Sequence, residues 1–347
     1  MALAPYSWLE APAKELLAMR DRMPNAILLH GASGIGLYDL ALAFAHFVMC
    51  TNPSPDGEPC GHCRGCELMR AGTHPDFRQV LSEFMCAQKE VPYEPAENER
   101  ADATKKRLSR EVRIHQLRAL TEVLSLNANQ GGRRLILVYP ADKVRAEAAA
   151  SLLKSMEEPP EGLTWLLVAE KLDDVLPTIR SRSRLVRAPM PTFEEGLAFL
   201  KKRRVKNPEK ALAFAGGAPV AALEALDDER LSAKTETTVL EMLRQGGHLT
   251  ADTIVRAMPM ELSIPAFSLL ILRWAHDLVR ATQGLEPRYL PDEAGALAAL
   301  AKTTDPRRAI GFSDWAEAVR SAADHPLNGR QVWEQTLLRH RNSFNGA

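Results

Sequence analysis

The 347-residue sequence has no excess of charge of either sign, because 44 basic and 44 acidic side chains cancel. That absence argues against a dedicated nucleic-acid-binding protein, although it leaves room for a local basic face. No stretch approaches about 18 uninterrupted apolar residues, so no membrane span is expected. The opening residues, Met1-Ala2-Leu3-Ala4-Pro5-Tyr6-Ser7-Trp8, lack the basic segment and apolar core of a secretory signal. A cytoplasmic protein is the simplest expectation. No internal repeat is visible. A hydrophobic share of 46% and a charged share of 25% fit an ordinary globular protein, long enough for two or three domains.

Cysteine is scarce and odd in number, five in all, which disfavours a disulfide framework. Four of the five are nevertheless crowded together. Cys50, Cys60, Cys63 and Cys66 follow the spacing C-x9-C-x2-C-x2-C and supply four thiolates for one tetrahedral zinc. The last three lie in a knuckle opened by Pro53, Pro55, Gly57 and Pro59 and turned by Gly61 and Gly65. With four protein ligands and no position left for water, a structural site is expected. His62 and His74 are rival ligands nearby, each expected to be a solvated loop residue. Cys86 has no partner at metal spacing and reads as a packed or exposed thiol.

A further absence sits inside a motif. After the apolar run Ala26-Ile27-Leu28-Leu29-His30 comes Gly31-Ala32-Ser33-Gly34-Ile35-Gly36-Leu37-Tyr38, with the spacing of a P-loop, G-x-x-x-x-G-K-[ST]. Leu37 stands at the lysine position and Tyr38 at the small-hydroxyl position. The glycines suit a backbone anion nest at a helix N-terminus. The lysine that reaches the outer phosphates and the oxygen that holds magnesium are missing. A charge-assisted contact contributes about 1.5–3 kcal/mol, so loss of the lysine alone weakens binding about 10- to 100-fold. Without the metal ligand, the ion that neutralises charge in phosphoryl transfer is lost too. No ATP is expected to bind productively.

A second site tests that reading. Arg134-Leu135-Ile136-Leu137-Val138-Tyr139-Pro140 has the continuous aliphatics of a buried strand. In ATPases of the AAA+ type such a strand ends in Asp-Glu, one carboxylate for magnesium and one to polarise water. Those positions read Tyr139 and Pro140 here, and proline cannot act as a base.

Leu40, Phe44, Phe47 and Val48 form the apolar stripe of a helix after the loop. A short strand over 76–80, a polar and mobile connection over 85–110, and a helix beginning at Ile114 follow. Beyond strand 134–138, a helix over about 144–157 ends at Glu157-Glu158-Pro159-Pro160, and strand 164–168 comes next. Strands alternating with helices imply a parallel sheet covered on both faces. From about 190 the pattern is helical only. Gly216-Gly217-Ala218-Pro219 punctuates a small unit, and Phe267, Leu270, Ile271, Trp274 and Leu278 mark a long helix.

Taken together, Gly31-x-x-Gly34-Ile35-Gly36, the four-cysteine knuckle, Thr73-His74-Pro75-Asp76, Leu152-Leu153-Lys154-x-x-Glu157-Glu158-Pro159-Pro160 and Ile179-Arg180-Ser181-Arg182-Ser183 resemble bacterial clamp-loader subunits, over roughly residues 1–230. Within that family a dead P-loop with the arginine motif retained is similar to the delta-prime branch of DNA polymerase III. The resemblance implies an α/β AAA+ core with a parallel sheet and an inserted zinc knuckle, then a small helical lid and an all-α C-terminal domain. The implied boundaries are 1–187 for the core with its zinc module at about 50–66, 188–232 for the lid and 233–347 for an oligomerisation collar. It also implies that Ser181-Arg182-Ser183 aligns with the family's Ser-Arg-Cys, making Arg182 an arginine finger for a neighbour's ATP. Val220 falls at the second-sensor arginine. The implied partners are the gamma/tau ATPase subunits, the delta subunit, the sliding clamp and primer-template DNA, with no membrane. On this reading the chain is catalytically inactive within a DNA polymerase holoenzyme. A zinc-containing scaffold or a DNA-binding subunit without a trans-acting arginine is the alternative, and an ATPase using unusual residues is disfavoured by Leu37, Tyr38, Tyr139 and Pro140.

Overall fold

The structure, a computed structural model, describes residues 3–94, 108–124, 133–227, 231–323 and 327–344. The chain divides into two compact units, Met1–Glu195 and Gly196–Ala347.

The first unit is built on five parallel strands: β1 (Ala26–His30), β2 (Phe77–Leu81), β3 (Arg134–Tyr139), β4 (Leu163–Ala169) and β5 (Arg184–Arg187). Their order across the sheet is β2-β3-β4-β1-β5. Every residue of β3 and β4 is buried, which is why both read as unbroken aliphatic runs rather than alternating ones. Alternate residues serve opposite faces. Leu28, Ile136, Val138, Trp165 and Leu167 point into one core with Leu117 and Leu120 of α5 (Ile114–Leu124) and Leu152 and Met156 of α6 (Ala146–Glu157). Burial there contributes about 1.5–3 kcal/mol per large apolar side chain. Helix α1 (Glu10–Ala18) packs beside β5, and α2 (Leu37–Met49) packs on the sheet through Leu40, Phe44 and Phe47, all fully or almost fully buried.

The expected mobile connection over 85–110 needs correction at its start. Ser82 caps α4 (Glu83–Gln88) by accepting the amide N–H of Met85, so residues 85–88 are helical and Cys86 is buried. Residues 95–107 lie outside the described part. Helix α3 (Arg64–Arg70) sits in the cysteine segment, and α7 (Pro177–Arg180) precedes β5. Among the described residues no helix is long and apolar enough to cross a membrane.

The second unit is helical throughout among its described residues. One small cluster joins Leu200, Leu212 and Ala222. A larger one gathers Phe267, Leu270, Ile271, Trp274 and Leu278 of one long helix (Ile264–Thr282) with Phe312, Trp333 and Leu337. Asp277, fully buried on that helix, accepts the amide N–H groups of Arg288, Tyr289 and Leu290. A buried carboxylate is tolerated there because three donors replace its lost water.

Candidate functional site: a filled nucleotide cradle and a cysteine cluster

In open parallel sheets, ligands bind beyond the carboxyl ends of the strands. The P-loop follows the carboxyl end of β1, Tyr139 closes β3 and Glu170 follows β4, so all converge on that edge. Gly36 takes φ +89° as the cap of α2. A side chain there would collide with the Tyr6 ring, which lies over the loop. Tyr6 stacks on Trp8 with centroids 4.9 Å apart and donates its hydroxyl to Asp39 Oδ2 at 2.6 Å. The Trp8 indole donates to the Ile35 carbonyl at 2.8 Å. The chain's own N-terminal segment therefore covers the glycine nest with two aromatic rings and brings a carboxylate to its mouth.

The metal half of the cradle is filled as well. Tyr38, at the small-hydroxyl position, stacks on Tyr139, at the carboxylate position, with centroids 5.7 Å apart and planes 28° apart. Tyr38 donates to Gln79 Oε1 and Tyr139 donates to Glu170 Oε1, each at 2.6 Å. Burial pushes the Tyr38 phenol up to about 12, with the Asp39 charge adding to it, so it stays a neutral donor. Asp142, the acidic residue just past β3, is engaged by the Glu170 N–H at 2.9 Å. Leu37 is 3% exposed and packed as core. The two degenerate motifs are thus one packed aromatic plug.

A consequence is testable. Leu37→Lys combined with Tyr38→Thr restores the motif letters but leaves Tyr6 over Gly36. This variant is expected to bind magnesium-ATP no better than about 1 mM, a bare 4 kcal/mol, in equilibrium dialysis. Adding Tyr6→Ala is expected to tighten binding at least tenfold. Micromolar binding by the first variant would show that the ring does not obstruct the loop.

The cysteine cluster forms at the opposite end of α2. Cys50 caps its C-terminus and Cys63 caps the N-terminus of α3, where it accepts the Cys66 N–H. Gly65 permits the approach, since a side chain there would overlap the Met49 carbonyl. All four sulfurs lie within 4.8 Å of one another. Cys50 and Cys63 Sγ are 3.8 Å apart and Cys60 and Cys66 Sγ 3.9 Å. A tetrahedron with about 2.3 Å zinc–sulfur bonds has edges of about 3.8 Å, so the donor set fits a tetrahedral metal. Burial raises the Cys50 and Cys66 thiols. At Cys63 burial also opposes ionisation, but hydrogen bonds from Thr51 and the Cys66 amide outweigh it and hold that thiol low. The cluster is capable of coordinating a metal ion.

His62 is exposed, with Nδ1 2.7 Å from the Cys60 carbonyl. His74 is 2% exposed rather than solvated. Its Nδ1 accepts the Asp76 N–H at 3.1 Å, which makes it a turn-former packed behind α3. Neither histidine belongs to the four-sulfur group. Cys86 is a buried thiol pushed up to about 11 by burial.

Arg182 follows α7 and precedes β5. Ile27 of β1 pairs in register with Arg184, which sets Arg182 at the amino edge of the sheet. The P-loop begins after the last residue of β1, about 17 Å away along a five-residue strand. Arg182 Nη2 lies 2.5 Å from Glu157 Oε1, and Nη1 donates to the Thr178 carbonyl at 3.2 Å. Val220 is buried at 8% exposure in helix Pro219–Asp227. Sequence reasoning missed Tyr6, Trp8, Asp39, Gln79 and Glu170, none of which carries a motif.

A parallel sheet in the order β2-β3-β4-β1-β5, with a P-loop at its carboxyl edge and a four-sulfur cluster beside it, defines an AAA+-like core whose nucleotide cradle is packed shut. The model of the family described as DNA polymerase III, delta subunit, matches residues 14–191. The chain belongs to that family and is a delta-prime-like member of the bacterial clamp-loader subunits. It is similar to DNA polymerase III subunit delta′ of Pseudomonas aeruginosa, 33% identical over 62% of this chain and 60% of that protein. It is also similar to the Escherichia coli subunit delta′, 28% identical over 66% of this chain and 63% of that protein. A solved gamma subunit-related protein of Thermotoga maritima covers 96% of this chain and 100% of that one, at 15% identity and a TM-score of 0.44. The matched regions thus span about 60% of the length of the curated relatives.

Proposed function

We propose that this chain is the non-hydrolysing subunit of a DNA polymerase III clamp loader, assembling with ATPase subunits and donating Arg182 to a neighbour's ATP. The observation that carries the reading is the placement of Arg182. It lies at the edge of the sheet remote from its own P-loop, and that P-loop is filled by Tyr6, Tyr38 and Tyr139. An arginine there is useless to a nucleotide in the same chain and available to one on an adjacent subunit. In the isolated chain it rests on Glu157, and both side chains are well exposed. An exposed pair of this kind contributes about 0–1 kcal/mol, so exchanging Glu157 for a phosphoryl group costs little.

The cysteine cluster in this reading holds a structural zinc that ties α3 to the end of α2. Residues 1–187 form the core, 188–232 the lid and 233–347 the collar through which sister subunits assemble. The delta subunit, the sliding clamp and primer-template DNA complete the partners, the DNA being held chiefly through its phosphates.

The test is reconstitution. Mixing the chain with gamma/tau-type ATPase subunits and a delta subunit is expected to give a single assembly with DNA-stimulated turnover. The purified chain alone is expected to hydrolyse nothing. Turnover by the chain alone, or a full loader forming without it, would overturn the proposal.

A further inference from the structure

The histidine packed behind the cysteine cluster uses only one of its two ring nitrogens. Past α3 the chain turns back, with the Thr73 N–H on the Leu68 carbonyl at 3.0 Å and Arg78 Nη1 on the His74 carbonyl at 2.7 Å. The turn leaves the His74 ring beneath α3, at 2% exposure. Nδ1 accepts the Asp76 N–H at 3.1 Å, so that nitrogen presents its lone pair. The proton of the neutral ring therefore sits on Nε2, which is a donor. Nε2 is buried and has no hydrogen-bond partner among the described residues. A buried donor left unpaired is costly and rare, and it is stabilised by an acceptor or a negative charge.

The surroundings supply that charge. Nε2 stands 3.7 Å from the point that a Cβ on Gly65 would fill. Gly65 lies in the first turn of α3, beside Cys66 and just after the capping Cys63. The Met49 carbonyl borders the same point, yet no hydrogen bond joins it to the ring. Burial, the largest influence on the ring, lowers its pKa and keeps it neutral, whereas Asp76 and the Cys63 thiolate act against it. The ring and that sulfur are thus within electrostatic reach. The sulfurs already draw donors from nearer groups. Cys50 Sγ accepts the Cys60 N–H at 3.2 Å, and Cys63 Sγ accepts the Cys66 N–H at 3.4 Å and is hydrogen-bonded by Thr51. Four thiolates around one divalent ion still leave a net charge of about −2, which further N–H groups stabilise.

We propose that His74 is a positioning residue for the metal and not a ligand, its Nε2–H stabilising the negative charge of the Cys63 and Cys66 sulfurs. This role rests on the structural zinc of the proposed function. Four sulfurs complete the tetrahedron, so the imidazole acts on the ion only through them. The donor that is orphaned in the metal-free chain gains its counterpart when the thiolates close on the ion.

The test uses the full chain loaded with zinc or with cobalt(II), as wild type, His74→Asn and His74→Gln. Asparagine keeps an acceptor for the Asp76 N–H and lacks the outer donor. Glutamine carries an N–H to about the position of Nε2 and gives up the inner acceptor. In competition with a chelator, His74→Asn is expected to hold zinc about 10- to 100-fold less tightly, and His74→Gln to recover most of that loss. The sulfur-to-cobalt charge-transfer band is expected at longer wavelength in His74→Asn and near its original place in His74→Gln. A thiolate deprived of a donor gives up its electrons more readily. A histidine that only shapes the turn would rank the variants the other way. Zinc held as tightly by His74→Asn as by the wild type, or His74→Gln no better than His74→Asn, overturns the proposal. Should a variant fail to fold, nitrogen-15 NMR of the wild-type ring decides. The proton is expected on Nε2, with its resonance displaced by zinc; a proton on Nδ1, or a resonance that zinc leaves unchanged, overturns the role. A wild-type chain that binds no zinc would sink the structural-zinc reading itself, and this role with it, so the two failures are told apart.

Discussion

Arg182→Ala is expected to lower ATP turnover by a reconstituted loader by about 10³- to 10⁵-fold at the site this chain faces, with assembly intact. The magnitude is that of an arginine finger acting in trans on the charge of a transferred phosphoryl group. Two structural facts make the result decisive. The side chain makes no buried contact whose loss would unfold the chain, only an exposed pair with Glu157 and hydrogen bonds to Thr178 and Ser181. Its distance from the filled P-loop also removes any role in cis. Single-site turnover must be measured, because the remaining sites in a ring continue to cycle. Arg182→Lys is expected to recover little, since lysine carries the charge without the planar fork. Unchanged turnover with normal assembly would leave the chain as a scaffold.

Removing the metal is the second large expected effect. The purified chain is expected to hold one zinc, and Cys60→Ser none. At free zinc a thousandfold above its dissociation constant, binding contributes about 4 kcal/mol of stability. For a unit of this size each kcal/mol moves the unfolding midpoint by about 2–4 °C, so chelation is expected to lower it by about 8–16 °C. The loss should be local, because the strands bury their own apolar faces whereas α3 buries only Gly65, Cys66 and Met69. Limited proteolysis should then cut first between Cys50 and Arg70. Acid should act in the same direction as chelation, since protons compete with the metal for thiolate sulfur. A metal-free protein with an unchanged midpoint would refute a structural role.

The sequence revealed most of what rests on local pattern. The aliphatic runs of β1, β3 and β4, the helix after the loop, the stop at Glu157-Glu158-Pro159-Pro160 and the four cysteines each follow from neighbours in the chain. What rests on distant contact stayed hidden. Tyr6 meets Asp39 across 33 residues and Trp8 meets Ile35 across 27, and nothing in Pro5-Tyr6-Ser7-Trp8 announces a cover for the loop. Strand β5 was missed because it is short and charged, with three of its four residues exposed. Its pairing with β1 comes from the sheet and not from its own propensity. His74 looked like a loop residue by composition, whereas its burial depends on α3 folding over it. Tyr38 and Tyr139 were each legible as a lost function, but their stacking was not.

That stacking makes the loss of chemistry difficult to reverse by single steps. An open nucleotide cradle is a cavity, whereas here Tyr38 and Tyr139 are buried core. Replacing either tyrosine by a small or acidic residue first opens a void of aromatic size, a change that costs about 3–5 kcal/mol before any ligand gains a foothold. It also strands the hydrogen-bond partner, Gln79 or Glu170. The two positions are coupled, so a useful reversion needs both at once, together with Leu37 and Tyr6. Each single substitution on that route is expected to lower stability without restoring a nucleotide site, so the plug resists piecemeal change.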